Sequence, residues 1–377
     1  MRKTIKKYAV TLILILMPVF FTACTEYVDL DKVIFITSIL VDQDDDGANM
    51  VFYFETLTAM RSSSKESNEE KRIVYKIKCN NGGDAINLLE AQTSTRITLA
   101  HNKILLFTER FAKNGVDQCF DLFDRRQAAN TRTLIGIFAG SPKDFLEPNH
   151  PEEEITGLYL YEMLGTVDSF TSVGVRVEVK EFTNQVLVGD RVNSVPIVNV
   201  ITDEDTKGQY DLDGLGLIKE YKMIGRLSKD ESFYFNLMLN NEVAGDIMVP
   251  NPQDEDKIVS MLFLSDTYDT HADYQDGVLK ITREFVLKTN ITAVQGKLKL
   301  TDDNIKKMEI DMADKIKGEC MALFDEWKEK KTDIFDIQEE FERKYPSYKN
   351  LNIIEDTELQ LDVKVIITGT VTVKDAK

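Results

Sequence analysis

The chain has 377 residues, enough for two or three domains with sizeable cores, and its 43% hydrophobic and 29% charged composition excludes a disordered chain. The 46 Lys and Arg against 64 Asp and Glu give a formal charge of −18, a balance that opposes binding to nucleic acid or anionic lipid through phosphate contacts. Three His and four Cys are thin material for a metal enzyme or a disulfide scaffold.

The N-terminus reads as a targeting segment. Met1 to Lys7 carries Arg2, Lys3, Lys6 and Lys7, and Tyr8 to Phe21 is an apolar run too short for a membrane span. Basic start and apolar run together fit a secretory signal. Phe21-Thr22-Ala23-Cys24 then resembles the lipobox of bacterial lipoproteins, although Leu is usual where Phe21 stands. The expectation is a signal peptide over residues 1–23, cleavage after Ala23 and a diacylglyceryl anchor on Cys24. An ordinary signal peptide with an incidental Cys is the alternative. No other run reaches span length, so the lipid is the expected anchor.

Val33 to Val41 and Val51 to Leu57 read as strands joined by an acidic turn, Asp42 to Gly47. Arg61 to Arg72 is a polar loop, Ile73 to Lys78 a strand, and Gly82 to about Thr95 a helix with Ala85, Ile86 and Leu89 inward. A strand over Lys103 to Thr108, a helix over Glu109 to Ala128 broken at Gly115, and a strand over Thr133 to Ala139 follow. Ser141-Pro142 opens a short helix through Leu146. Val173, Val175, Val177 and Val179 alternate with polar residues or Gly, as in a half-buried strand. After an acidic boundary at 202–211, short strands are expected around Leu215 to Ile218, Phe233 to Leu239, Ile258 to Leu264 and Leu279 to Leu287, with a hairpin turn at Asp276-Gly277. A helix over Asp302 to Lys330 has one apolar stripe of Ile305, Met308, Met312, Ile316, Cys320, Leu323 and Trp327. A terminal strand puts Leu359, Leu361, Val363, Val365, Ile367, Val371 and Val373 on one face. The fold class is mixed α/β (α+β): an α/β domain over 24–205 and an α+β domain over 206–377, with room for a third subdomain in the middle.

Motifs for chemistry are sparse. No Gly-x-Ser-x-Gly, phosphate-cradling loop, His-Glu-x-x-His or Cys-x-x-Cys occurs. Asp42-x-Asp44-x-Asp46-Gly47 matches half of a calcium loop, but Tyr53 stands where the bidentate Glu belongs, so an acidic hairpin turn is the simpler reading. Cys79, Cys119 and Cys320 cannot all pair among themselves; buried free thiols are the simplest reading, and a Cys nucleophile would need a His brought near by the fold. His101 precedes an apolar strand, as a structural or a functional residue, the former favoured. His150 and His271 read as solvated loop residues, and the runs Asp42–Asp46 and Glu152–Glu154 as solvated faces.

The order of motifs resembles the Ger(x)C family, the C-subunit lipoproteins of bacterial spore germinant receptors. Besides the lipobox, Arg96-x-x-x-x-His101-x-x-Ile104-Leu105-Leu106, Phe111 to Val116 and Phe123-Asp124-Arg125 resemble family blocks in sequence order. So do Gly214 to Ile218 with Lys222 to Leu227, Lys331 to Phe335, Tyr345-Pro346 and the terminal strand near Gly369. Ala100, Arg126, Asp336 and Tyr348 depart from the usual Gly, Asp, Gly and Trp. The resemblance implies a multidomain lipoprotein with no enzymatic activity and no cofactor. It also implies integral-membrane A and B subunits as partners, and a place on the outer leaflet of the inner spore membrane. Arg96, His101 and Arg125 are the motif residues it points to, and Cys24 is the residue with a definite role. The rival expectation is an extracytoplasmic solute-binding lipoprotein that captures a small nutrient in an interdomain cleft.

Overall fold

The structure is a computed structural model that describes residues 33–58, 71–93, 96–124, 130–146, 155–166, 173–187, 191–201, 203, 208–241, 244–349 and 351–370. Ala23, Cys24, Arg125, Arg126, His150, Glu152–Glu154, Val371, Val373 and most of the polar loop lie outside them.

Two β-sheets organise the chain. β1 (Val33–Gln43), β2 (Met50–Thr58) and β3 (Lys71–Cys79) form an antiparallel meander. β4 (Arg96–Thr98) and β5 (Ile104–Thr108) return parallel to β1, and β6 (Leu134–Phe138) and β7 (Val192–Val200) extend the parallel run. β8 (Tyr210–Lys219) and β9 (Lys222–Leu227) close the sheet antiparallel, giving the order β3-β2-β1-β5-β6-β7-β8-β9 with β4 beside β1. The first sheet therefore takes its last two strands from beyond residue 206.

Helices cover both faces of this sheet. α1 (Gly82–Gln92), α2 (Glu109–Asn114) and α3 (Asp117–Asp124) bury Ile86, Leu89, Phe111 and Phe120 against Ile39, Val41 and Phe107. α4 (Pro142–Leu146) and α5 (Thr156–Gly165) bury Phe145, Leu160 and Leu164 against Leu40, Leu106 and Phe138 on the other face, and α6 (Val179–Leu187) returns to the first with Phe182. Sandwiching explains why β5 and β6 are buried at every residue: a strand covered on both faces has no solvent phase. Gly115, at φ 126°, ends α2 with its N–H on the Phe111 carbonyl, so the expected Gly115 break splits the helix into α2 and α3.

α7 (Lys229–Met238) leads to the second sheet, β10 (Asp246–Asn251), β11 (Asp254–Gln275), β12 (Val278–Val294) and β13 (Thr357–Thr370), in that order. The Asp276-Gly277 turn between β11 and β12 has both φ values positive, as a two-residue hairpin turn requires. α8 (Asp302–Glu329) and α9 (Ile337–Lys344) connect β12 to the parallel β13. The stripe from Met308 to Trp327 is buried as its spacing predicts. Trp327 also reaches the first sheet: a Cβ at Gly225 of β9 would stand 2.6 Å from its ring.

Two expected strands are corrected. Phe233 to Leu239 lies almost wholly in helix α7, opened by a capping box between Ser228 and Glu231. Ser232 and Tyr234 to Met238 of this helix are buried, and burial on nearly all sides erases the period that separates helix from strand. Of the valine alternation, Val173 to Val177 forms no strand, Glu178 makes an isolated bridge to Leu134, and Val179 already belongs to α6. β7 escaped the sequence reading because it contains Pro196, accommodated where the register with β8 shifts.

Candidate functional site between the two sheets

Residues from both halves of the chain line a cleft of about 530 Å³, with Arg176, Glu181, Gln185, Arg191 and Ser194 on one side and Leu239, Asn241 and Asp336 on the other. A smaller chamber of about 210 Å³ shares Arg191, Leu239 and Asp336 and reaches Arg283, Glu339, Glu340 and Arg343. The Arg191 guanidinium holds Asp336 through Nε at 3.2 Å and a second nitrogen at 2.6 Å, with Glu339 2.8 Å from Nε. Hydrogen bonding to Asp336 pushes the Arg191 pKa further up, so this group stays charged. Asp336 has φ 56°, the left-handed region that favours glycine. The resemblance placed a common Gly there; here the Asp side chain becomes the acceptor that ties Arg191 to the start of α9.

Behind this pair lies Arg283, 1% exposed, on β12. One terminal nitrogen donates to the Met238 carbonyl at 2.8 Å, at the end of α7. The other donates to the Phe335 carbonyl at 3.1 Å and to Glu340 of α9 at 3.4 Å. Asp333 accepts from the Phe335 and Gln338 N–H groups, so the turn before α9 is fastened from inside as well.

A second buried charge organises the first sheet. Glu55, in the middle of β2 and fully buried, accepts from Thr37 at 2.8 Å, Ser38 at 2.7 Å, Arg72 at 2.6 Å and the N–H groups of Thr156 and Gly157 at 2.9 and 2.7 Å. Helix α5 has no side-chain cap of its own, and the Glu55 carboxylate takes that place from a neighbouring strand. Gly157 permits the approach, since a Cβ there would lie 2.7 Å from the Thr37 carbonyl oxygen. Neither Glu55 nor Arg283 was singled out in the sequence, although Glu55 is a charge inside an otherwise apolar strand and Arg283 a charge on the inward phase of an alternating one.

The predicted positions are scattered. Arg96 and His101 are exposed near the start of β1: Arg96 pairs with Val33, and the His101 ring meets Phe35 edge-on at 5.0 Å. Arg125 and Cys24 fall outside the described residues, so the three motif residues are not seen together. Asp42 is buried under Thr108, at 2.6 Å, and under Arg110, whose Nε is also at 2.6 Å. Asp44 accepts from Ala48, Asn49 and Lys78, and these bonds hold its carboxyl well below the usual range. Of the half calcium loop, Asp44 thus fastens the hairpin and Asp42 ties β1 to the start of α2. His271 is exposed on β11 rather than in a loop.

Cys79, Cys119 and Cys320 are free and buried. Burial pushes the Cys79 thiol up to about 11 and the Cys320 thiol up to about 12, far from the thiolate a nucleophile needs. A maleimide at pH 7 is therefore expected to leave all three unmodified in the folded chain and to label them after unfolding, as mass spectrometry would record; labelling of Cys320 in the folded chain would contradict its burial. Among the described residues, no group of three or more His, Cys, Asp or Glu is placed to hold a metal ion, and no helix is long and apolar enough to cross a membrane.

Comparison with known proteins gives this architecture a family. Over 88% of its length the chain superposes on 96% of the crystal structure of the GerBC protein, with a TM-score of 0.58 at 14% identity, a likeness of fold. YfkR of Bacillus subtilis (strain 168), a protein assigned to spore germination, is 20% identical over 385 residues, covering 99% of this chain and 97% of YfkR. The spore germination protein GerQC of Bacillus cereus is 20% identical over 185 residues, 49% of this chain and 50% of GerQC. Residues 26–201 match the family described as "Spore germination protein N-terminal domain", and residues 213–371 match "Spore germination B3/ GerAC like, C-terminal". With both segments present in order over nearly its whole length, the chain belongs to the Ger(x)C family of spore germination proteins.

Proposed function

We propose that this chain is the lipid-anchored, non-enzymatic C subunit of a nutrient germinant receptor. It is held on the outer face of the inner spore membrane by a diacylglyceryl group on Cys24 and docks on membrane-embedded A and B subunits. The observation that carries the reading is the succession of the two family segments over residues 26–201 and 213–371. The buried thiols support a role without nucleophilic catalysis. A ligand on the membrane subunits would act on this one only through contacts that differ between two states of the receptor.

Two measurements test it. Cys24→Ala is expected to move the protein from the detergent phase to the aqueous phase on phase separation, because one or two acyl chains provide the membrane affinity; a variant that stays with detergent contradicts the anchor. Purification from spore membranes is expected to bring down two multi-span proteins identifiable by mass spectrometry, and recovery of a transport permease instead contradicts the receptor reading.

The cleft between the sheets favours a second reading, a solute-binding lipoprotein, since about 530 Å³ lies in the size range of small-molecule sites. That reading predicts that one nutrient raises the melting temperature of the isolated protein in proportion to RT ln(1 + [L]/Kd).

A further inference from the structure

The net charge of the chain conceals an uneven distribution. At the end of the first sheet where β1, β4, β5 and β6 begin, the connecting loops are stitched to one another. Lys103 donates its N–H to the Thr37 carbonyl, and Leu134 donates to the Lys103 carbonyl. Asn130 and Thr133 both donate to the Asn102 carbonyl, and Lys180 donates its N–H to the Thr131 carbonyl. This end carries Arg96, His101, Lys103, Arg132 and Lys180, all exposed except Lys103, which lies over the Tyr161 ring at 4.6 Å. The loop stretches 99–103 and 130–133 contain no carboxylate. The nearby acids are Glu178, paired with Arg176 at 2.9 Å, Glu162 on the last turn of α5, and the exposed Glu181 that follows Lys180 in the first turn of α6. The opposite end, where β1 finishes, carries Asp42, Asp44, Asp45 and Asp46, set against Arg110, which pairs with Asp42 and Asp45, and Lys78, which pairs with Asp44, so that end is acidic by two charges.

Tether length then selects an orientation. Eight residues, Thr25 to Lys32, separate Cys24 from Val33 at the start of β1. Fully extended, they span at most about 30 Å. We propose that the end of the first sheet bearing Arg96, His101, Lys103, Arg132 and Lys180 rests on the anionic headgroups of the bilayer that holds the lipid. The inference depends on the anchor proposed above. A diacylglyceryl group brings two acyl chains and suffices for attachment, so the basic surface acts on orientation. Asp42 lies roughly 30 Å along β1 from Val33 and roughly 17 Å beyond the level of Lys103, with Asp44 to Asp46 further still from the headgroups. The tether itself brings Glu26, Asp29 and Asp31, along with Lys32, to the same end, so its acids are the competing occupant of the basic surface.

Energy transfer on vesicles tests this with the full acylated chain. A donor dye is placed on Ala100→Cys at the basic end or on Asp45→Cys at the acidic end, both exposed positions, with an acceptor on the lipid headgroup. On vesicles with one-third phosphatidylglycerol in phosphatidylcholine, the Ala100 dye is expected to transfer several-fold more efficiently than the Asp45 dye. That ratio is expected to fall on pure phosphatidylcholine, in about 0.5 M salt, and in the triple variant Arg96→Glu, Arg132→Glu, Lys180→Glu. A ratio that ignores lipid charge and the triple variant would mean that the tether alone, or its acids folded onto the basic end, sets the orientation, and it overturns the proposal. So does stronger transfer from Asp45. Flotation is measured on the same samples: a chain that does not float with the vesicles refutes the anchor and the orientation together, whereas one that floats with equal transfer from both dyes refutes the orientation alone.

Discussion

Glu55→Ala is expected to destabilise the first sheet by about 3–5 kcal/mol, read as a fall in the urea midpoint of unfolding, because it breaks a buried ion pair and leaves the other charge uncompensated. Five donors converge on that one carboxylate, more than its roughly four lone-pair sites, so every site is occupied. Arg72 would lose its carboxylate while still donating to the Phe145 and Leu146 carbonyls, and the Thr156 and Gly157 N–H groups would be buried without an acceptor. Glu55→Gln separates charge from shape: it keeps one oxygen but puts an NH₂ group among donors, and is expected to recover little. The double variant Glu55→Met, Arg72→Met is expected to recover more than either single change, since a buried pair replaced by apolar groups of similar volume is often neutral. A loss below about 1 kcal/mol in Glu55→Ala would show that α5 is held in place by Leu160 and Leu164 alone.

The second large effect belongs to Arg283. Arg283→Ala is expected to cost about 3–5 kcal/mol, again by urea unfolding, since it orphans two buried carbonyls and opens a cavity under the Tyr268 ring. The guanidinium joins the end of α7, the turn before α9 and Glu340, which are three separate segments. Arg283→Lys is expected to fail to restore them, because an ammonium lacks the planar fork that reaches both carbonyls. Arg283→Met should fare better than Ala by filling the space. If Lys behaves as the native residue, the two carbonyl contacts are not what Arg283 contributes.

Both residues show how far the sequence could be read. β12 alternates cleanly, so Arg283 falls in phase with Leu279, Ile281, Phe285 and Leu287 and must point inward. Its burial is legible from spacing; its partners are not, because they come from residues 238, 335 and 340, which periodicity does not relate to it. Glu55 is similar: a carboxylate within Met50 to Leu57 announces an exception, but the N-terminus of α5 lies a hundred residues further on. The same limit applies to elements. α8 and β13 were readable because one face meets solvent, whereas β1 and β2 were readable as apolar runs of strand length either side of an acidic turn. α7 lost its period by being buried on nearly all sides, and β7 hid behind Pro196. The cleft needs Arg191 and Asp336, 145 positions apart, and only the fold brings them to 2.6 Å.

The pairing of β12 with β13 also governs the order in which the protein can form. The two strands are parallel, and 62 residues, including α8 and α9, lie between them. The first sheet is complete in the chain at Leu227, but the second stays open until the segment ending at Thr370 has been made. During synthesis one edge of β12 and part of the apolar stripe of α8 therefore wait uncovered, a long-range closure of the slow kind. A chain truncated or stalled within its last twenty residues would carry a finished first half joined to a bare strand edge, which is a template for aggregation.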